Sequence, residues 1–226
     1  MGIQRKTYTD CQGCSLCLLP CPMWQQHRDV MFSPQGIAKA MQSGATATDV
    51  QEQAASCIHC GACDVMCPEN IALSSWLEEL SEVAGSALNQ VVKEPKLNGF
   101  VISCDSWVQE GIHADDLYII DAAPFHADYK RRVEHYTSLR IKTGCSMNLD
   151  LNRMAIPTGI GSEAAKQEKF NVCEQIQWLM QGREFARVIV ENHDDMEVLR
   201  ERTDKPVVCI SELLPSLHER GEYATR

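Results

Sequence analysis

The sequence predicts an α+β protein in two parts. Residues 1–92 form a helical domain, and residues 99–226 form an α/β domain with a largely parallel sheet. Three observations lead to this reading. Eight of the twelve cysteines lie in two tight runs before residue 68. The segments around those runs place apolar residues at helical spacing. Beyond residue 99, short β-branched runs alternate with helical stretches, the pattern of a parallel sheet with crossover helices.

In the first part, Ser33-Pro-Gln-Gly36 reads as a helix start with Pro at the first helical position. Ile37–Gln42 continues that helix to a stop near Gly44. Thr48–Ala55 reads as a second helix, capped by Thr46 or Thr48 and leading into Cys57. After Pro68, Leu73, Trp76, Leu77, Leu80, Val83 and Ala84 mark the apolar face of a third. Lys93–Gly99, with Pro95 and Gly99 as breakers, is the expected linker. In the second part Phe100–Cys104, Leu117–Ile120, Leu139–Lys142, Arg187–Val190 and Pro206–Ile210 read as strands. Phe125–Ser138, Ser162–Met180, Asp194–Arg202 and Ser211–Arg220 read as helices.

The cysteine runs are Cys11-Gln-Gly-Cys14-Ser-Leu-Cys17-Leu-Leu-Pro-Cys21-Pro22 and Cys57-Ile-His-Cys60-Gly-Ala-Cys63-Asp-Val-Met-Cys67-Pro68. Both read C-x2-C-x2-C-x3-C-P. A [4Fe–4S] cubane has four irons, each needing one thiolate. A C-x2-C-x2-C loop supplies three. In two-cluster runs of this spacing the fourth Cys ligates the other cluster. The expected sets are therefore Cys11, Cys14, Cys17 and Cys67 for cluster one, and Cys57, Cys60, Cys63 and Cys21 for cluster two. Pro22 and Pro68 keep the chain from running on as regular helix through the fourth ligand. Structural zinc uses two separated pairs, which these triplets do not resemble. Gly13, Ser15, Gly61 and Ala62 are small enough for backbone amides to approach sulfur. His59 has two readings, a hydrogen bond to sulfur or a solvated loop residue. Met23 and Trp24 read as a shield between a cluster and water.

These runs, with Ser33-Pro34-Gln35-Gly36-Ile37 between them and Met66-Cys67-Pro68-Glu-Asn-Ile71 before an amphipathic helix, resemble a known family. The resemblance is to iron–sulfur subunits of glycolate and lactate oxidases, anaerobic glycerol-3-phosphate dehydrogenase and heterodisulfide reductases. It covers residues 10 to 84. Where that family has Arg, Gly, Arg after the Pro, this chain has Gln, Gly, Ile. The resemblance implies a ferredoxin-like helical domain with helices packed around the clusters. Relatives continue into an α/β region with Cys-Cys-Gly repeats, and residues 100–226 resemble a degenerate copy. Ile156–Gly161 stands where a Cys-Cys-Gly would be. Asn192 and Asp195 stand in place of a terminal C-x2-C, and Pro206–Leu214 matches the closing strand and helix. The missing ligands remove the family's additional cluster.

Four cysteines remain. Cys104, Cys209 and Cys173 read as core residues. Cys145 follows an expected strand, where sites form in α/β sheets, so it is read as either packing or a functional thiol. A third cluster from these four matches no defensible spacing. Gly159-Ile-Gly161 is a possible anion-binding turn, and Lys130–Arg132 either a solvated helix face or a docking patch.

Net charge is −10, which disfavours nonspecific nucleic-acid binding. No apolar run is long enough to span a membrane. Peripheral attachment stays open, and a cytoplasmic location is the default. The expectation is an electron-transfer subunit of an oxidoreductase, paired with a flavin or metal-containing catalytic subunit. The alternatives are a disulfide reductase working through the C-terminal domain and an iron–sulfur redox sensor.

Overall fold

The computed structural model describes residues 6–82, 99–150, 154–155, 181 and 183–214. Five short helices surround the cysteine runs: α1 (Pro22–His27), α2 (Pro34–Gln42), α3 (Gln51–Ala55), α4 (Ala62–Met66) and α5 (Leu73–Glu82). Helix α2 starts as its sequence predicts. The Ser33 hydroxyl accepts from the Gly36 amide at 3.1 Å, and Pro34 occupies the first turn. Gly36 is required there, because a Cβ would stand 2.0 Å from the Val30 carbonyl oxygen. Helix α3 begins later than expected. Thr46 and Asp49 close a turn ahead of it, and Val50 sits at its cap. Ile37, Val50, Ala54, Leu77 and Leu80 form the apolar contact among α2, α3 and α5.

The second part contains α6 (Gly99–Ser103), α7 (Ser106–Glu110), β1 (Asp116–Ile119), α8 (Ala122–Ala127), α9 (Tyr129–Thr143), β2 (Ser146–Met147), β3 (Leu149–Asp150), β4 (Met154–Ala155), β5 (Arg187–Val190), α10 (His193–Arg200) and β6 (Val207–Cys209). Strands β2-β1-β5-β6 make one sheet in that order, and all three pairings are parallel. Strands β3 and β4 form a separate antiparallel pair. The chain steps from β1 to β2 on one side, then crosses to β5 on the other. The β1/β5 gap is thus the point where ligands bind in open α/β sheets. Here Glu191 fills it, as described below. At the opposite end Asp116 and Arg187 lock β1 to β5 through two contacts at 2.6 and 2.9 Å.

Side chains alternate across the sheet with the expected period of two. Tyr118, Ile120 and Ile189 face α6 to α9, joining Phe100, Phe125, Tyr136 and Leu139. Leu117, Ile119, Val188, Val190, Val207 and Cys209 face the other way. There they share one apolar cluster with Met196 and Leu199 of α10 and with Cys21, Met23, Ile58, Cys60 and Ala62. The cysteine-bearing region therefore covers a sheet face, the position that a layer of crossover helices takes in a doubly wound fold.

Two expected strands are helices. Phe100–Cys104 lies in and just after α6, with Phe100 and Ser103 buried three residues apart while Val101 is 63% exposed. Leu139–Lys142 is the last turn of α9. Leu139 falls on a buried face with Arg132 and Tyr136, while Ile141 is 78% exposed. Short β-branched runs cannot separate helix from strand by pattern alone. Gly144, left-handed at φ +75°, ends α9 and was the available stop signal. The expected Phe125–Ser138 helix is two, broken at Asp128. After β6 the chain makes a 3-10 turn over Ile210–Leu213 in place of an α-helix start. The linker residues 93–98, Val83, Ala84, the helix 162–180, the 156–161 turn with Gly159 and Gly161, Cys173, and residues 215–220 lie outside the described residues.

Candidate metal centre

The two cysteine loops have the same backbone. In the first, Gly13 and Ser15 take left-handed φ of 76° and 65°. In the second, His59 and Gly61 occupy the same motif positions with φ of 51° and 75°. Alternating left- and right-handed residues turn successive amides toward one concave side, the geometry of an anion-binding nest. The His59 amide donates to the Cys57 sulfur at 3.4 Å, so it is the backbone of this residue that reaches a cysteine. The Gln35 amide in the first turn of α2 lies by Cys17, the Met23 and Trp24 amides of α1 by Cys21, and the Ala62 amide by Cys60, each favouring the thiolate.

The cysteines of the two runs mix. A cavity is lined by Cys57, Cys60 and Cys63 of the second run and by Cys21 of the first. Met23, Phe32, Ile37 and Leu77 supply apolar wall, and Gln53 and Ser74 are among the polar lining groups. On the other side Cys67 of the second run packs with Cys11 and Cys17 of the first, against Ile71, Leu73 and Trp76. Cys63 belongs to both neighbourhoods. Cys14 is exposed, as are the flanking Leu16 and Leu19.

Burial sets the protonation of these thiols. Burial pushes the Cys17 thiol up to about 12 and raises Cys21, Cys60 and Cys63 as well. Thiols so placed stay protonated unless a cation compensates them. Metal ligation needs the thiolate, so binding releases protons and stabilises the fold. Among the described residues no three metal-ligating side chains are gathered closely enough to hold a single ion. The donor set is all thiol, backed by amides and apolar walls, and fits an iron–sulfur cluster.

Residues 10–72 match the family model described as a 4Fe-4S dicluster domain. The chain is an iron–sulfur protein. The match indicates two [4Fe–4S] clusters and an electron-transfer role. No curated protein and no solved structure matches the chain. Among the described residues of this iron–sulfur protein, no helix is long and apolar enough to cross a membrane.

Several supporting residues escaped the sequence reading. Gln35, Lys39 and Gln42 lie on one side of α2 at helical spacing. They bond to the carbonyls of Gly13 (3.4 Å), Cys11 (2.7 Å) and Cys11 again (3.1 Å), holding loop one. That polar stripe was legible but has the look of an ordinary solvated face. Asp64 accepts from the amide of Ser74 at 2.9 Å and from its hydroxyl, which ties α4 to α5. His126 of α8 reaches across from the α/β part and pairs Nδ1 with the Cys60 carbonyl at 2.8 Å. Nothing in the local sequence marks it.

Of the remaining cysteines, Cys209 is buried as expected, and Cys104 and the setting of Cys145 need correction. Cys104 is exposed. Cys145 is 2% exposed, follows a helix and enters β2 at its N-terminal end. Burial raises its thiol, and it lies at the edge of the sheet away from the ligand crevice. Cys209 and Cys145 belong to clusters on opposite sheet faces, so a third iron cluster cannot assemble from them. Of the basic run, Lys130 and Arg131 are exposed but Arg132 is buried at 6%.

Proposed function

We propose that this chain is the electron-transfer subunit of a larger oxidoreductase, linking a flavin or metal-containing catalytic partner to an acceptor. The assignment carries crossed ligation: Cys11, Cys14, Cys17 and Cys67 hold one cluster, and Cys57, Cys60, Cys63 and Cys21 the other. The observation that carries it is the cavity under the sheet, where Cys21 joins three cysteines of the distant run. Bound there, a cubane supplies one-electron chemistry at a potential set by charge, hydrogen bonds and solvent. The chain's own residues set those conditions. The His59 amide donates to the Cys57 sulfur, and the amides of Gln35, Met23, Trp24 and Ala62 favour the charged form of Cys17, Cys21 and Cys60, which raises the potential. Met23 and the sheet exclude water on the side of loop two. Loop one presents Cys14, Leu16 and Leu19 to a docking partner. The two parts of the chain act as a cluster domain and a docking platform within this proposal, with a cytoplasmic setting.

Anaerobic affinity capture of the full chain tests the reading. The expected result is co-purification of a flavin- or metal-containing subunit that reduces or oxidises the clusters, with no substrate turnover by the isolated chain. Turnover of that partner's substrate by the isolated chain overturns it. The rival catalytic reading through Cys145 loses its ground with that thiol buried at the wrong end of the sheet. Cys145→Ser should leave activity of the assembled complex nearly intact.

A further inference from the structure

On the sheet face away from the clusters, α6 and α9 bring a thiol, an imidazole and two guanidinium groups together. The Ser103 hydroxyl donates to the Phe100 carbonyl at 2.7 Å. His135 Nε2, 2.8 Å from the same hydroxyl, is then the donor to it. That fixes the tautomer and leaves the lone pair on Nδ1, which faces Cys104 Sγ at 3.8 Å. Thiol, base and orienting group stand in the order that activates a nucleophile. The Cys104 thiol itself is exposed.

The arginines point to what the site receives. Arg131 and Arg132 both lie over the Phe100 ring, at 5.1 and 4.5 Å. Arg132 is 6% exposed, and its Nε and one terminal nitrogen have no hydrogen-bond partner among the described residues. A buried guanidinium with unpaired N–H groups is costly, and a second cation beside it adds repulsion. The Phe100 ring beneath them stands 5.0 Å from the His135 ring, which places both charges beside the thiol and the imidazole. A carboxylate matches a guanidinium fork in shape and charge.

We propose that Cys104, His135 and Arg132 form a thiol-exchange site for small disulfides that carry a carboxylate. The carboxylate seats on Arg132, with Arg131 at the rim. Cys104 Sγ attacks the nearer sulfur of the disulfide as its proton passes to His135 Nδ1. A new S–S bond forms between Cys104 and one half of the disulfide, and the original S–S bond breaks. The departing half leaves as a thiolate and takes the proton back from His135 as a thiol. Two electrons stay within the sulfurs, so the clusters are not required. At rest burial holds the Cys104 thiol above its ordinary value despite the arginines, and lowers His135. The thiolate is therefore made within the step by the imidazole. The product is a mixed disulfide on α6, reversible by a second thiol.

The test uses the full, cluster-loaded chain under anaerobic conditions. Oxidised glutathione is the carboxylate-bearing probe and cystamine the cationic one, with peptide mass mapping to follow Cys104. Each rate is divided by that of free cysteine with the same probe. The normalised rate for glutathione disulfide should exceed that for cystamine by about tenfold or more, as expected for a charged hydrogen-bonded contact. Arg132→Gln should abolish that preference and Arg132→Lys restore part of it. If Arg132→Gln fails to fold, Arg131→Gln at the exposed rim should still reduce the preference. His135→Gln should slow both probes by about a hundredfold, as for a lost general base, without changing their ratio. Equal normalised rates for the two probes, or His135→Gln reacting as fast as the parent, would leave Cys104 an ordinary exposed thiol and overturn the proposal.

Discussion

The two cysteine loops share a motif and a backbone, yet they live in different surroundings. Loop one, Cys11 to Cys21, is held by side chains of one neighbouring helix and keeps Cys14, Leu16 and Leu19 in solvent. Loop two, Cys57 to Cys67, is closed under the sheet with Cys60 and Cys63 buried and His126 on its backbone. The difference teaches that the motif alone sets cluster type, whereas the tertiary cover sets what each cluster meets. An exposed loop suits exchange with a partner. A covered loop sits in a lower dielectric, where each amide-to-sulfur bond counts for more.

The largest effect should come from Cys21, the ligand proposed to cross between loops. Cys21→Ser should lower iron from about eight to about four per chain, with loss of the cluster of loop two although the change lies in run one. Iron analysis with resonance spectra of the reduced protein checks this. Loss of the loop-one cluster in its place would break the comparison.

Next in size is the pH response of the sheet that covers loop two. Glu191 is buried at the β1/β5 crevice, accepts from Tyr118 Oη at 2.8 Å, from Tyr136 Oη and from the Asp121 amide at 2.9 Å, and is pushed up to about 7 by burial. The folded chain keeps this proton to higher pH than the unfolded chain. Its contribution to stability is full below the ordinary value of 4.5 and is lost as pH rises through 7. The loss should be about 3 kcal/mol. Denaturant titrations across that window should show the decline, and Glu191→Gln should flatten it.

Gly36→Ala should strike loop one most, because α2 holds its carbonyls. Its new methyl collides with backbone at Val30, and displacing α2 should cost about 1–3 kcal/mol. A urea midpoint shift together with weaker loop-one signals is the expected result. The smallest stability effect belongs to the exposed face of loop one. Leu19→Ser should change stability by less than about 0.5 kcal/mol while slowing electron delivery by a docked partner. Stopped-flow traces with and without the substitution decide it.

Much of this was legible in the chain. The two runs, the Ser33 cap, β1, β5 and β6 all carry local signals strong enough to read. What was hidden depends on distant partners. Phe100–Cys104 looks like a strand until the Gly99 before it is seen against Glu191, whose atoms stand 2.5–3.1 Å from where a Cβ on Gly99 would be. His126, Glu191 and Arg132 are single polar residues whose burial comes from tertiary packing, which no spacing rule reports. The close fit of a cysteine loop against a sheet face is likewise invisible to periodicity, because both surfaces read as apolar only in part.

The most direct test is the electron spin resonance of anaerobically prepared, fully reduced protein. Two thiolate-held cubanes sharing crossed loops predict about eight irons per chain and two spins whose spectrum is broadened by mutual coupling. Zinc in place of iron, or a single unbroadened spin with about four irons, would contradict the account.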